Sequence, residues 1–277
     1  PYSTRTHEGF WRFLVLREGV HTGERMVHLI THPCAPGSTG WRAVEKVAGA
    51  LHGCGVPLAS VLHGTTDRLS AVAFCDAVRV LAGEPVIRER LLDLTFTIGP
   101  NTFFQTNTRG AEALFSEAIA RGRFQATDVV WDLYCGVGAL TLPIARRVHR
   151  VLGMELLPES VAAARGNAAS NGIGNAEFFA GDIRALLADT ALRTGFRPDA
   201  VVLDPPREGM HPDVARALID LAPARIVYVS CNPATLARDL ALLVAGGFRL
   251  DPVRPVDMFP HTAHVECVAS LAREETR

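Results

Sequence analysis

Apolar and polar positions follow two different rhythms along this chain. Between residues 10 and about 107, short apolar runs are separated by turn residues. Residues 10–17 and 25–31 read as strands, with Gly19 and Gly23 supplying a hairpin loop between them. Residues 33–40, rich in Pro, Gly and Ser, read as a loop, and residues 41–52 carry helical spacing. Residues 58–63, 77–81 and 92–98 read as further strands.

From residue 108 the rhythm becomes strand, helix, strand. An amphipathic helix is predicted over 108–121. Apolar runs at 129–134, 151–155, 176–180, 200–203 and 226–229 predict strands. Helical stretches follow them at 139–147, at 158–171, from 183, after 212 and at 234–245. Two last strands, around 248–256 and 264–271, have no helix between them and are expected to pair as an antiparallel hairpin. Alternating strands and helices imply a parallel sheet covered on both faces. Right-handed crossovers then put the ligand crevice at the carboxyl ends of the strands. The fold class is therefore α/β, a doubly wound, mostly parallel seven-stranded sheet over residues 95–277, with a smaller α+β domain over 1–94.

Composition narrows the picture. At 277 residues, 48% hydrophobic and 21% charged, the chain describes a soluble globular protein with a proper core. No apolar run reaches membrane-spanning length, and residues 1–9 do not read as a signal peptide. The first residue is not Met, which fits part of a longer chain. Six cysteines are scattered without a Cys-x-x-Cys pair, which argues against a zinc or iron–sulfur site within this chain and against a disulfide framework. A cytosolic protein with free thiols is expected. With a net charge of −1, a nucleic-acid ligand would need a local basic patch or charge from another domain.

The predicted strand ends carry the candidate chemistry. The first ends in Asp132-Leu-Tyr-Cys-Gly-Val-Gly-Ala139, where Gly136 and Gly138 permit a tight turn and close backbone approach. A dinucleotide fingerprint would place a third Gly where this chain has Thr141, so a pyrophosphate cofactor is disfavoured. A nucleoside cofactor without phosphates, such as S-adenosylmethionine, fits better. Glu155, ending the second strand, can accept both hydroxyls of a ribose, and Asp182, ending the third, can accept from an adenine amino group. A helix N-cap or a solvated loop end is the plainer reading of each acid. The fourth strand ends in Asp204-Pro-Pro-Arg207, whose prolines force a rigid, extended exit. The fifth ends in Ser230-Cys-Asn-Pro233. Cys231 thus precedes a helix N-terminus, whose dipole is expected to lower the thiol pKa. Glu266 lies on the last strand, on the face shared by His264, Val268 and Ser270. If that strand runs antiparallel beside the fifth, Glu266 falls close to Cys231, and its carboxylate opposes the dipole by raising the thiol pKa.

These residues resemble a known family. Asp132-Leu-Tyr-Cys-Gly-Val-Gly, Leu203-Asp-Pro-Pro-Arg207, Ser230-Cys-Asn-Pro-Ala-Thr-Leu-Ala-Arg-Asp239 and Asp257-Met-Phe-Pro-His-Thr-Ala-His-Val-Glu266 look like the RNA uracil-5-methyltransferases. Asn101-Thr-Phe-Phe-Gln-Thr-Asn107 is similar to the family's Phe-x-Gln-x-Asn segment. The resemblance covers most of residues 95–271, and residues 10–92 resemble the family's small central domain more weakly. It implies a Rossmann-like class I methyltransferase that uses S-adenosylmethionine to make 5-methyluridine. It implies Cys231 as nucleophile and Glu266 as base. Gln105, Tyr134, Glu155 and Asp204, with Asp182 and the Gly136 turn, would contact the cofactor, and Phe103 and Phe259 would flank the target base. Ala139 departs from members with Asn after the Gly-x-Gly. The N-terminal RNA-binding barrel of many members, and the four-cysteine iron–sulfur site of some, have no counterpart in this sequence.

The chemistry is consistent with such residues. A thiolate adding at uracil C6 makes C5 nucleophilic, and a carboxylate can remove the C5 proton after methylation. The uridine must first be unstacked and flipped. Arg207, Arg238 and His261 are candidate phosphate contacts. Met258 and His261 stand where the transfer-RNA members are expected to have Gln and Tyr, so 23S rRNA is the preferred RNA and tRNA the alternative. A monomer without membrane association is expected. A base-amino methyltransferase, a nicotinamide oxidoreductase and a non-catalytic RNA-binding module are the competing readings.

Overall fold

Alternating side chains along Trp11–Glu18 (β1) pair antiparallel with Arg25–Thr31 (β2), whose residues are almost all buried. The computed structural model describes the chain apart from Ala71, Thr190, Ala191, Arg193, Thr194 and residues 275–277. It separates into two units, Pro1–Arg90 with Thr95–Phe103, and Leu91–Leu94 with Phe104–Arg277.

In the first unit the hairpin closes through Gly19, whose amide bonds Glu24 O at 2.8 Å, with Gly23 at a φ of 72°. Helix Thr39–His52 (α1) starts at Ser38, whose hydroxyl caps Trp41 N at 3.2 Å. It leads to Ser60–Thr65 (β3), which runs parallel to β2, and Ala77–Gly83 (β4) completes an order β1-β2-β3-β4. Val27, Leu29 and Val44 form a small core between this sheet and α1. The strand expected over 92–98 is instead a hairpin of Ile87–Leu91 (β5) and Leu94–Ile98 (β6). Its turn residues Leu92 and Asp93 both take positive φ, 49° and 62°. Neither is a glycine, so the turn gave no sequence signal.

The second unit is the strand–helix half. Thr108–Gly122 (α2) precedes Val129–Leu133 (β7), Thr141–Ala145 (α3), Arg150–Glu155 (β8), Pro158–Ser170 (α4), Ala176–Ala180 (β9) and Ile183–Ala188 (α5). Ala200–Leu203 (β10), Pro212–Leu221 (α6), Arg225–Ser230 (β11) and Pro233–Ala245 (α7) follow. Three strands end the chain: Phe248–Leu250 (β12), Arg254–Val256 (β13) and Glu266–Arg273 (β14). The sheet order is β12-β14-β11-β10-β7-β8-β9, with β13 also paired to β14. From β11 to β9 the pairing is parallel, while β14 is antiparallel to β11, β12 and β13.

Two expectations for this half need correction. The sheet has eight strands, because 248–256 is broken at residues 251–253, where Pro252 cannot donate to a ladder. The closing hairpin is also more involved, since β14 inserts between β12 and β11. That insertion buries β14 on both edges and brings its first residue beside the end of β11. Helix α3 is shorter than the predicted 139–147. Trp131, Leu133, Leu203 and Tyr228 lie in the buried core that supports the strand ends, and the Trp131 indole donates to Phe196 O at 2.8 Å.

Candidate active site

The glycine turn after β7 is built by strain and one carboxylate. Tyr134 takes a φ of 65°, unusual for a bulky residue, and Gly136 takes 54°. The Gly136 amide donates to Glu155 Oε2 at 3.1 Å, and Leu157 N donates to Oε1 at 2.9 Å. Glu155 therefore ties the ends of β7 and β8 together while keeping free lone pairs. A Cβ added at Gly136 would meet no protein atom within 4 Å, so this backbone turn faces open space. Behind it the Thr141 hydroxyl donates to buried Asp132 at 2.5 Å. Thr141 is thus a structural partner at the position where a dinucleotide motif would need glycine. Burial lifts the Asp132 pKa to about 7, against the Thr141 hydrogen bond and with help from the Glu155 charge.

Asp182 serves as a helix N-cap. It caps α5 by accepting from Arg184 N at 2.8 Å and pairs with the Arg184 guanidinium at 2.6 Å. The hydrogen bonds from Arg184 hold its pKa down to about 2. Tyr134 is half-buried, and burial with the Asp182 and Asp239 charges pushes its phenol up to about 12.

The Asp204-Pro-Pro-Arg207 segment is held by the helix that follows Cys231. Asn232 Nδ2 and Thr235 Oγ1 both donate to Arg207 O, at 3.1 and 3.2 Å. Arg238 donates to Glu208 O at 2.8 Å and pairs with Asp239 at 2.7 Å. Asp239, wholly buried, accepts from Met210 N at 2.9 Å and from Tyr228 OH at 2.6 Å. Gly209, at a φ of 77°, has no room for a Cβ against Asp239 and Arg238. Arg238 is therefore engaged in holding this loop, with about half of its side chain (52%) exposed. Sequence reasoning passed over Thr235 and Asp239. Their spacing with Asn232, three and seven residues along a helix, places polar groups on one face and was the available signal.

Cys231 and Glu266 come together at paired strand ends. Ser230 lies opposite Cys267 as the last pair of the antiparallel β11–β14 ladder, so Cys231 and Glu266 fall at adjoining positions just past it. Glu266 is only 5% exposed, not the solvated edge residue typical of a strand glutamate. Burial raises its pKa. Cys231 is half-buried, with Asn232 capping Ala234 N at 3.1 Å and Pro233 opening α7. The net shift of this thiol is upward, in the direction expected of the neighbouring carboxylate and against that expected of the helix dipole. Burial, then the charges of Glu266 and Asp204, raise its pKa, and Arg207 offsets only part of this. Asp204 keeps part of its surface open but is walled by protein. Burial, then Glu266 and Asp132, lift its pKa to about 8.

The rim is formed by the 256–264 loop. Asn107 caps α2 through Gly110 N at 3.0 Å and donates to Met258 O at 2.8 Å, fixing that loop from a distance in sequence. Met258 is fully buried. Phe259 stands edge-on to His264 with ring centroids 6.3 Å apart, and Arg207 Nη2 lies 3.4 Å from His264 Nδ1. His261 is exposed at a φ of 65°. Gln105 is half-buried near the start of this unit. Phe103 ends the Thr95–Phe103 segment of the first unit, with its ring 72% exposed. Among the described residues, no group of three or more His, Cys, Asp or Glu side chains could hold a metal ion, and no helix is long and apolar enough to cross a membrane.

The strand order, one antiparallel strand inserted next to the edge and the glycine turn after β7 define the fold of the class I, Rossmann-like S-adenosylmethionine-dependent methyltransferases. A putative enzyme of that class from Streptococcus mutans shares the fold at a TM-score of 0.58 and 11% identity, over 98% of this chain and 77% of that one. The family model of the tRNA (uracil-5-)-methyltransferases matches residues 84–274, and this chain belongs to that family. An uncharacterized RNA methyltransferase of Nitratidesulfovibrio vulgaris is 44% identical over 275 residues, covering 97% of this chain and 57% of that protein. One from Chlorobaculum tepidum is 40% identical over 280 residues, 99% of this chain and 56% of that protein. The Pyrococcus abyssi tRNA (uracil-54, C5)-methyltransferase, solved with S-adenosyl-L-homocysteine, has a TM-score of 0.78 and 33% identity over 98% of this chain and 62% of that one. The chain thus spans little more than half the length of these curated relatives.

Proposed function

We propose that this protein methylates C5 of a uridine in RNA, with Cys231 as nucleophile and Glu266 as general base. The observation that carries the reading is the pair itself, a thiol and a buried carboxylate at adjacent strand ends in the crevice. Either residue alone has an ordinary explanation, whereas a packing role needs neither beside the other.

The residues fit S-adenosylmethionine. The strained Tyr134–Gly136 turn leaves backbone open to a ligand, Glu155 keeps acceptor capacity at the end of β8, and Asp204 stands at the end of β10. Gln105 and Asp182 complete the proposed set, Asp182 with its carboxylate shared with Arg184. The cofactor supplies an electrophilic methyl group. The chain supplies the rest. The Cys231 thiolate adds at C6 of the uracil, which makes C5 nucleophilic. Once C5 has taken up the methyl group, Glu266 takes the proton from C5, and the C6–sulfur bond breaks to regenerate the ring and the thiolate. Phe259 is the aromatic face for a flipped base and Arg207 the cation beside it, while Phe103, on the first unit, is a base-stacking ring in its own right. We take the protein to act as a cytosolic monomer.

We further propose 23S rRNA as the preferred RNA, from the Met258-Phe-Pro-His261 stretch. Because Met258 is buried, the exposed His261 is the residue of this stretch through which the preference would act. Transfer RNA is the second reading, favoured by the likeness to the Pyrococcus abyssi tRNA enzyme. The test maps 5-methyluridine in both RNAs from a deletion strain complemented with the wild type or with Cys231→Ala. A 23S rRNA site restored only by the wild type is expected, and a tRNA site in its place overturns the rRNA preference. A site restored by Cys231→Ala refutes the mechanism.

A further inference from the structure

Residues 99–103 form a surface turn, yet the first unit holds it far more firmly than a surface turn requires. Arg17 on β1 donates to three of its carbonyls: Thr102 O at 2.7 Å, Gly99 O at 3.2 Å and Pro100 O at 3.3 Å. Asn101 makes a two-way pair with one backbone residue, accepting from Cys75 N at 3.0 Å and donating to Cys75 O at 2.9 Å. Thr102 adds a local clasp, with its hydroxyl accepting from Gly99 N at 3.1 Å.

These anchors rest on the core of that unit. Cys75 is buried, with Sγ 3.4 Å from His28 Nε2, and His28 is itself fully buried on β2. Gly64 on β3 makes room for both, because a Cβ there would collide with the Cys75 sulfur and the His28 ring. The guanidinium of Arg17 is partly withdrawn from water, and burial lowers its pKa. Taking a guanidinium out of water is unfavourable unless its donors are met, and here backbone carbonyls of one turn meet them.

What the turn delivers is Phe103, a large apolar ring left 72% exposed. A tightly fixed backbone carrying an exposed aromatic is the arrangement of a preorganised stacking platform. We propose that Arg17 and Asn101 are positioning residues, which hold the 99–102 turn so that Phe103 is already in place to stack on a base of the RNA. This rests on the uracil-methylating function proposed above. A loop that must be ordered during binding loses affinity through backbone and side-chain entropy, and a prefixed one does not. Arg17 and Asn101 therefore act on RNA capture through Phe103 and leave cofactor affinity alone.

The test is a double-mutant cycle on the full-length protein. Arg17→Ala, Arg17→Lys and Asn101→Ala are made in the wild type and in Phe103→Ala. KM and kcat are measured with in vitro transcribed rRNA and tRNA, and S-adenosylhomocysteine affinity by calorimetry. In the wild-type background Arg17→Ala and Asn101→Ala are expected to raise the RNA KM by roughly tenfold, with Arg17→Lys in between and kcat little changed. S-adenosylhomocysteine affinity stays within about twofold. In the Phe103→Ala background the same changes add less than about twofold, because their target is gone. Asn101→Ala removes one side chain at the surface of the turn and guards against a loss of folding on removing Arg17. Equal losses in both backgrounds, or a KM unmoved by both single changes, overturn the inference while the methylation reading stands. A wild type that methylates neither RNA overturns both.

Discussion

Replacing Glu266 by Gln tests the electrostatics of the crevice without any RNA. Cys231 and Glu266 fall at adjoining positions just past Ser230 and Cys267, the last pair of the β11–β14 ladder. Opposed Cβ atoms in such a ladder are about 5 Å apart, so the two charges lie roughly 6 Å apart. Their repulsion is then about 0.7 kcal/mol in a water-like dielectric and about 3 kcal/mol at an effective dielectric near 20. Glu266 is 5% exposed, which favours the larger figure. Removing the charge should raise the Cys231 thiolate population at a fixed pH by a factor of about three to a hundred.

The assay is iodoacetamide alkylation followed peptide by peptide by mass spectrometry, from about pH 6 to about pH 9, where only the thiolate reacts appreciably. Exposed Cys54 serves as the internal reference. Burial raises the Glu266 pKa, so the difference between wild type and variant should narrow toward the acid end as the carboxyl takes up its proton. The gap opens as pH rises and Glu266 ionises. Glu266→Gln should speed Cys231 labelling at alkaline pH and leave Cys54 unchanged. Equal or slower labelling of Cys231 would refute the adjacency on which the catalytic reading depends.

Three further predictions concern the surroundings of this pair. Gly136→Ala puts a methyl group into open space at a left-handed φ of 54°, so it should cost only about 1–2 kcal/mol of stability yet abolish S-adenosylhomocysteine binding by calorimetry. Asp239→Ala leaves Tyr228 OH and Met210 N without their acceptor, at about 1–3 kcal/mol each. Urea unfolding should therefore show a loss of about 2–6 kcal/mol. Asp132 holds its proton up to about pH 7 in the folded chain but releases it near pH 4 when unfolded, so stability falls through that window. The slope is about 1.4 kcal/mol per pH unit, and Asp132→Asn should flatten it in melting curves taken at pH 5 and 7; an unchanged slope would show that Asp132 titrates normally.

How much of this could be read from the sequence follows from what each feature depends on. The five parallel strands could be read because each apolar run ends in a polar or glycine-rich cluster, and those clusters make up the candidate site. The β5–β6 hairpin could not, because Leu92 and Asp93 occupy left-handed positions that a glycine or asparagine would have announced. The split of β12 from β13 was marked by Pro252, but nothing local showed that β14 would slot between β12 and β11. The sign of the Cys231 shift was also out of reach. A helix N-terminus is visible in sequence, whereas the burial of Glu266 and the approach of Asp204 belong to the tertiary structure. Asp182 shows the reverse case, where the local capping explanation accounts for most of the geometry.

The helix that follows Cys231 explains why this thiol and the Pro-Pro loop occur together. Its first two turns carry Asn232, Thr235, Arg238 and Asp239, and all four bond the backbone or neighbours of residues 207–210. A strand-end loop with two prolines is stiff within itself, but its rigidity does not fix its direction. The α7 side chains fix that direction, and so set Arg207 and Asp204 against the thiol that opens the same helix. Those two groups pull the Cys231 pKa in opposite directions. A shift of the loop that moved Arg207 away would leave the thiol facing two carboxylates and no cation. Reactivity at Cys231 is therefore tied to the register of α7 against the loop, through contacts none of which touches the sulfur.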